Sequence, residues 1–156
     1  MIRIAAATPR DVPALVQLLS LLFASEKDFT PDPVRQRRGL LKIIREPRSG
    51  IIFAMKDGAS VVGMVNLLFT VSTAEGGRVA ILEDLILEPG YRGQGLGSKL
   101  VLYAIRYVRD RGIRRITLLT DHANRRAIHF YRRHGFINSA MIPLRLVLRP
   151  CPGPSS

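Results

Sequence analysis

Residues 85–98, Leu-Ile-Leu-Glu-Pro-Gly-Tyr-Arg-Gly-Gln-Gly-Leu-Gly-Ser, constrain the fold more than any other stretch of this 156-residue chain. The stretch opens as an apolar run and breaks at Pro89-Gly90. It then passes three alternating glycines and continues with Leu96, Leu100, Val101, Ala104, Ile105 and Val108 at helical spacing. That pattern is strand, tight turn, helix. The first N–H groups of a helix have no partner inside it, and the helix dipole adds positive potential at the same end. Gly93, Gly95 and Gly97 remove side chains there, and Arg92 puts a positive charge at the lip. Such a turn receives an anion, with phosphate or pyrophosphate as its natural ligand. Two common phosphate loops are excluded by spacing. A dinucleotide fingerprint needs its third glycine three residues after the second, where this chain has Ser98, and the Gly-Lys-Ser/Thr of a nucleotide P-loop is absent.

The elements before the turn follow from local signals. Ile2 to Ala6 reads as a strand. Thr8, Pro9 and Asp11 supply an N-cap, a first-turn proline and a capping box for a helix that carries Leu15, Leu18, Leu19, Leu22 and Phe23 and ends near Ser25. A polar loop comes next, and Asp32-Pro33 starts a second helix that Pro47 and Gly50 end. Ile51 to Met55, Ser60 to Val71 and Val79 to Leu87 read as an antiparallel meander, with turns at Asp57-Gly58 and Gly76-Gly77. After the glycine turn the helix runs to about Arg111, with Gly112 at its C-terminus. Arg114 to Thr120 is then expected as a strand parallel to 79–87. A last helix starts at Ala123-Asn124 and stops at His134-Gly135, and Phe136 to Val147 is expected to supply one or two closing strands. The expectation is one domain over residues 1–149 and a disordered tail over 150–156.

Arg92-x-x-Gly95-x-Gly97 resembles the pyrophosphate loop of the GNAT N-acetyltransferases. Asn124-x-x-Ala127-x-x-Phe130-Tyr131-x-x-x-Gly135-Phe136 is similar to the C-terminal motif of the same family, and the separation of the two motifs, one helix and one strand, also matches. Together they span roughly residues 80 to 137. The resemblance implies an α/β (α+β) fold: a mixed, mostly antiparallel sheet of six to seven strands with about four helices packed on both faces. It also implies transfer of the acetyl group of acetyl-CoA, as co-substrate, to a primary amine by direct attack in a ternary complex.

The same resemblance assigns roles. The main chain of Gly93, Gln94, Gly95, Leu96, Gly97 and Ser98, with the Arg92 side chain, would hold the pyrophosphate. Leu85, Ile86 and Leu87 would pair with the pantetheine arm like an added strand, and a main-chain N–H there would polarise the thioester carbonyl. Asn124 would contact the cofactor as well as cap its helix. Glu83 matches the position of a general base, with adjacent Asp84 as the second choice, since strand alternation sends the two side chains to opposite faces. Tyr131 matches the general acid for the leaving thiolate and would also lie against the cofactor; a phenol is protonated at neutral pH and suits that role. His122 and His129 read as surface residues. No His, Cys or carboxylate spacing suggests a metal site.

Composition narrows the partners. The loop between the first two helices holds Glu26, Asp28 and Asp32 against Lys27, the one locally acidic segment in a chain of net charge +12. Asp32 is accounted for as a helix cap, so Glu26 and Asp28 are the carboxylates that would attract a cationic amine. A basic nucleic-acid-binding module is the competing class, and a different acyl-CoA donor the competing chemistry. Lysine occurs only at Lys27, Lys42, Lys56 and Lys99, the arginines are scattered, and no aromatic residues interleave with them to stack bases. Nucleic acid is therefore the minor reading. No apolar run is long enough to span a bilayer, and the N-terminus has no signal-peptide core, so a soluble cytoplasmic protein is expected. Cys151 is the single cysteine, which allows no internal disulfide. Exposed edge strands would allow a homodimer.

Overall fold

The structure, a computed structural model, describes residues 1–26 and 30–148. Among these residues five strands form one sheet in the order β1-β2-β3-β4-β5: β1 Ile2–Ala6, β2 Gly50–Asp57, β3 Ser60–Ser72, β4 Gly77–Leu87 and β5 Ile116–Leu118. The first four run antiparallel to their neighbours, and β5 is parallel to β4, as a crossover through a helix requires. The four helices are α1 Val12–Ala24, α2 Pro33–Arg45, α3 Leu96–Asp110 and α4 Arg125–Arg133.

Side-chain alternation divides the core into two layers. Ile52, Ala54, Val61, Met64 and Ile86 pack against Val12, Leu15, Leu18 and Leu19 of α1 and Leu40 of α2. Phe53, Met55, Val62, Val65, Leu67, Ala80, Leu82 and Leu87 pack against Leu96, Leu100, Val101, Ala104 and Val108 of α3, with Phe130 and Tyr131 of α4 against the same layer. Helices thus cover both faces, as expected.

The helix starts behave as their sequences dictate. The Thr8 N–H donates to the Asp11 carboxylate at 2.8 Å, and a short 3-10 turn over Pro9–Asp11 leads into α1. The Asp32 side chain accepts from the Arg35 N–H at 3.1 Å and caps α2. Gly58, at φ +59°, makes the tight β2–β3 turn.

The sheet has five strands where six to seven were expected. Ile137 to Leu148 forms no strand, and Ile137, Met141, Ile142, Leu144, Leu146, Val147 and Leu148 are exposed. Apolar, β-branched composition favours a strand only where a pleated surface is there to pack on. Pro143 adds to this, since it has no N–H for a ladder. The parallel strand is also shorter than expected, three residues in place of 114–120. The expected disorder of 150–156 and the reading of Cys151 lie outside the described residues.

Asp11 ties the first helix to the sheet. It is 7% exposed and forms an ion pair with Lys56 of β2. Burial opposes its ionisation, but hydrogen bonds from Lys56 and Thr8 outweigh that and hold its pKa below the ordinary carboxylate value. Lys56→Met would leave the Asp11 carboxylate buried without its cation, at a cost of about 3 kcal/mol. A depressed folded pKa contributes stability above the unfolded value, and that contribution fades as pH falls through the folded one. The expected result is a large loss in urea midpoint at neutral pH that narrows in acid below the ordinary pKa of 3.8. An equal loss at all pH values would mean the pair adds nothing through its charge.

Candidate active site

The glycine turn has the backbone geometry that an anion site requires. Gly93 and Gly95 sit at φ +74° and +75°, a backbone that L side chains rarely adopt. Gly95 is the N-cap of α3, and the first bond of the helix runs from the Lys99 N–H to its carbonyl at 3.1 Å. The N–H groups of Leu96, Gly97 and Ser98 precede that bond and are the ones a helix leaves to a ligand. Gln94 steadies the turn through Nε2, which donates to the Gly90 carbonyl at 2.8 Å. Arg92 uses Nε to hold the Leu87 carbonyl at 3.0 Å, a bond that does not engage its terminal amino groups. Gly97 plays a different part from the other two. It has no positive φ, and a Cβ there would meet the Phe130 ring at 3.6 Å, an ordinary van der Waals contact.

The turn adjoins an open edge inside the sheet. The parallel ladder pairs Ala80, Ile81 and Leu82 of β4 with Ile116, Thr117 and Leu118, and stops there. β4 continues to Leu87, so the stretch from Glu83 to Leu87 has no β5 partner. Leu85, Ile86 and Leu87 lie on this edge; the Leu87 carbonyl is taken by Arg92, and an extended ligand arm can pair with main-chain groups that lack a β5 partner.

Glu83 and Asp84 do not point to opposite faces. The β3–β4 register advances two residues from Met64 to Asn66 but three from Ile86 to Glu83. The extra residue is a bulge, and Asp84, at φ +54°, is the one non-glycine residue with positive φ among those described. The bulge restarts the alternation, so both carboxylates line one cleft of about 850 Å³ between the sheet and the α1–α2 layer. Leu19, Asp32, Gln36, Leu40 and Asn66 are among its other walls.

Electrostatics in this cleft favour protonation. The Glu83 pKa is raised by burial of its carboxyl, then by the charges of Asp84 and Glu26. The Glu26 charge thus reaches Glu83. Asp28 lies outside the described residues. The Asp84 pKa is raised by burial, with a hydrogen bond from Asn66 opposing at 3.1 Å.

Tyr131 stands on the other side of β4. Its ring packs on Phe130 and Phe136 at 5.2 and 5.5 Å, and burial pushes its pKa up to about 12. The phenol is protonated at any physiological pH. Asn124 caps α4, accepting from the Ala127 N–H at 3.0 Å, and its amide NH2 remains for a ligand. His122 and His129 are exposed. No group of three His, Cys, Asp or Glu suited to a metal exists among the described residues, and no helix there is long and apolar enough to cross a membrane.

Sequence reasoning missed two residues of the cleft. Asn66 is 2% exposed and Gln36 7% exposed. Asn66 had a signal, a lone amide in the apolar run Val61 to Val71. Gln36, among the arginines of α2, had none.

Comparison with known proteins agrees with this geometry. The model of the acetyltransferase (GNAT) family matches residues 13–136. Over 96 residues the chain is 31% identical to the uncharacterized N-acetyltransferase YhfO of Bacillus subtilis, a match covering 62% of this chain and 64% of that protein's length. The structure of the integron cassette protein HFX_CASS3, from the mobile metagenome of Cole Harbour Salt Marsh, superposes with a TM-score of 0.81 at 27% identity, covering 94% of this chain and 91% of that one. A predicted acetyltransferase of Clostridium acetobutylicum, solved with acetyl-CoA, has the same fold, with a TM-score of 0.76 at 16% identity over 93% of this chain and 96% of that one.

The bulge yields a stability test. Asp84→Asn keeps an acceptor for the Asn66 amide and tolerates positive φ, but removes the buried charge. A raised folded pKa means that ionisation weakens the fold. The penalty is complete above the folded pKa and vanishes below the unfolded 3.8. The variant should therefore melt higher than the parent at pH 7, by roughly 2–4 °C for each kcal/mol relieved, and the gain should disappear in acid. A lower melting temperature at pH 7 would show that the charge supports the fold.

Proposed function

The chain belongs to the GNAT family of acetyltransferases, and on that premise we propose that it moves the acetyl group of acetyl-CoA to a primary amine by direct attack. The observation that carries this reading is the end of the β4–β5 ladder at Leu82, with a cleft carboxylate on the next residue and the anion turn beyond. One open edge then serves both cofactor and acceptor.

Acetyl-CoA supplies an acetyl group already activated as a thioester. The N–H groups of Gly93 to Ser98 and the Arg92 guanidinium would receive its pyrophosphate, and the free edge of Leu85–Leu87 its pantetheine arm. A main-chain N–H on that edge would stabilise negative charge on the carbonyl oxygen. An amine enters as ammonium, with a pKa near ~10.4, and must lose a proton before its lone pair can attack. Glu83 accepts that proton, directly or through a water. Its raised pKa makes it a better base than an ordinary carboxylate. The new C–N bond forms as the C–S bond breaks, and Tyr131 gives its phenolic proton to the departing sulfur. Base and acid belong on opposite sides of the reacting carbonyl, because one meets the incoming amine and the other the outgoing thiol. Glu83 and Tyr131 lie on the two sides of β4, which supports the assignment.

A thermal-shift series tests the cofactor. Acetyl-CoA or CoA at a hundred times Kd should add about 2.7 kcal/mol, and raise Tm by roughly 5–10 °C, while ATP, which lacks the pantetheine arm, should give far less. No shift with either CoA species would reduce the glycine turn to a structural element. Glu83→Gln and Tyr131→Phe should each lower kcat about 10²-fold or more in amine acetylation, and both should keep the CoA-induced shift. Unchanged rates would remove those two roles and leave the cofactor assignment standing.

A further inference from the structure

The stretch after α4 and the groove beside it are both unsatisfied, and each supplies what the other lacks. Residues 137–148 form an arm that is exposed throughout, and seven large apolar side chains on it, from Ile137 to Leu148, are 74–91% exposed. Among the described residues the arm makes no hydrogen bond from main chain to main chain. A contiguous apolar surface of this kind is rare on a protein that stays single and marks a contact with another molecule.

A groove of about 740 Å³ opens between the C-terminal half of α3, the link into β5 and the end of α4. Ile105, Val108, Ile113, Ile116 and Phe136 give it apolar walls, and Arg109, Arg114 and Arg115 give it cations. β5 is the last strand of the sheet and pairs only with β4, so the far edge of Ile116–Leu118 has main-chain groups without a strand partner. An open strand edge beside an apolar groove receives an extended apolar segment, which bonds to the edge through its main chain and fills the groove with alternate side chains. The arm has that pattern. Leu144, Leu146 and Leu148 alternate with Arg145 and Val147, so an extended arm presents three leucines on one face and turns Arg145 away from the groove arginines.

The arm starts at the wall of its own chain's groove, since Phe136 and Ile137 are part of the lining. Arg132 Nη2 donates to Asn138 Oδ1 at 3.0 Å and the Met141 N–H to Ser139 Oγ at 3.1 Å, and these bonds hold the exit. To cover that groove the arm would have to double back over 138–143 and undo both. A second copy requires no reversal. We infer that two copies of this chain pair by exchanging arms, each arm lying along β5 and in the groove of the other copy. The contact is isologous, so each arm meets one groove and the pair closes. At ~25 cal/mol per Å², the burial of one such side chain removes about 60–120 Å² of apolar surface. With one face of each arm buried, the two arms remove roughly 400–800 Å², and the groove walls they cover add about as much again. That total reaches the ~1,200 Å² at which specific interfaces begin. The pairing is independent of the transfer reaction.

The test measures the mass of the full chain by light scattering from about 1 to 100 µM, at ~0.15 M and ~0.5 M salt. A reductant is present so that Cys151 cannot link two chains. A dimer should form as concentration rises, and more of it at the higher salt, because two chains of net charge +12 repel and salt screens that repulsion. Tm should rise with concentration, since a partner that binds only the folded chain stabilises it by mass action. Amide exchange at Ile116–Leu118 should slow as the dimer forms. Leu144→Ser combined with Leu146→Ser changes only exposed side chains and keeps the fold of the single chain. It should weaken the dimer at least about a hundredfold and abolish the dependence of Tm on concentration. A single chain at every concentration would overturn the proposal. So would a dimer that survives the double variant, or one that leaves exchange at β5 unchanged, since the contact would then lie elsewhere. A double variant that melts lower than the parent by the same amount at every concentration would show that each arm covers its own groove, and it would overturn the exchange as well.

Discussion

The single extra residue at Asp84 is the constraint on which the site depends. A non-glycine residue in the left-handed region costs on the order of 1 kcal/mol and persists only where its surroundings hold it. Here they do. Leu82 before the bulge and Leu87 after it both sit in the α3-side core, while Ile86 sits in the α1–α2 core. No regular strand could put those three side chains in those layers. The bulge reconciles them, and Asn66 steadies it from the neighbouring strand. By restarting the alternation it brings two carboxylates to one cleft, and it does so where the β5 ladder ends.

Charge in this molecule has to be read locally. A net charge of +12 suggests an anionic partner, yet the cleft beside β4 carries three carboxylates, Asp32, Glu83 and Asp84. The two facts are compatible because exposed charges are screened over ~8 Å at physiological salt, whereas groups inside a cleft are screened far less. The Glu83 pKa shows the same thing from inside. In the field of so many surface arginines a carboxylate would be held low, but it is raised, by burial and by Asp84 and Glu26. Any cation that entered the cleft would offset that crowding, regardless of the total charge of the chain.

Much of this was legible in the sequence because it rests on local chemistry. Gly93 and Gly95 need positive φ, Thr8 and Asp32 start helices with their own side chains, and Gly58 makes its turn; none of these depends on distant residues. The placement of Glu83 and Asp84 was not legible. Period-two alternation is a property of an uninterrupted ladder, and the bulge comes from packing on both sides of β4. Gln36 stayed hidden for a related reason, since the group it meets is Ser20 on another helix. The closing strands fail on the opposite ground. The stretch 137–148 has the composition of a strand, but composition describes what packs well on a sheet and cannot supply the sheet.

The open edge of β4 is part of the fold before any ligand arrives. Its partner β5 has only three residues, and the turn after β5 is pinned by its own chemistry. The Asp121 carboxylate accepts from the Ala123 N–H at 2.8 Å, and its carbonyl accepts from the Asn124 N–H at 2.9 Å. Asn124 then caps α4. These bonds turn the chain away from β4 within six residues of Leu118 and send Phe130 and Tyr131 back onto the α3-side core. Closing the gap by extending β5 would require breaking the turn, losing the cap and moving two aromatic side chains out of a packed layer. Apart from the Leu87 carbonyl, which Arg92 holds, the main-chain groups of β4 beyond Leu82 are therefore left without a β5 partner on that edge, with the glycine turn at one end and the carboxylates at the other. A ligand that adds a strand there meets a site already in place, so little of its binding energy goes into ordering the protein. The same rigidity keeps Glu83 and Tyr131 on their separate sides of the strand.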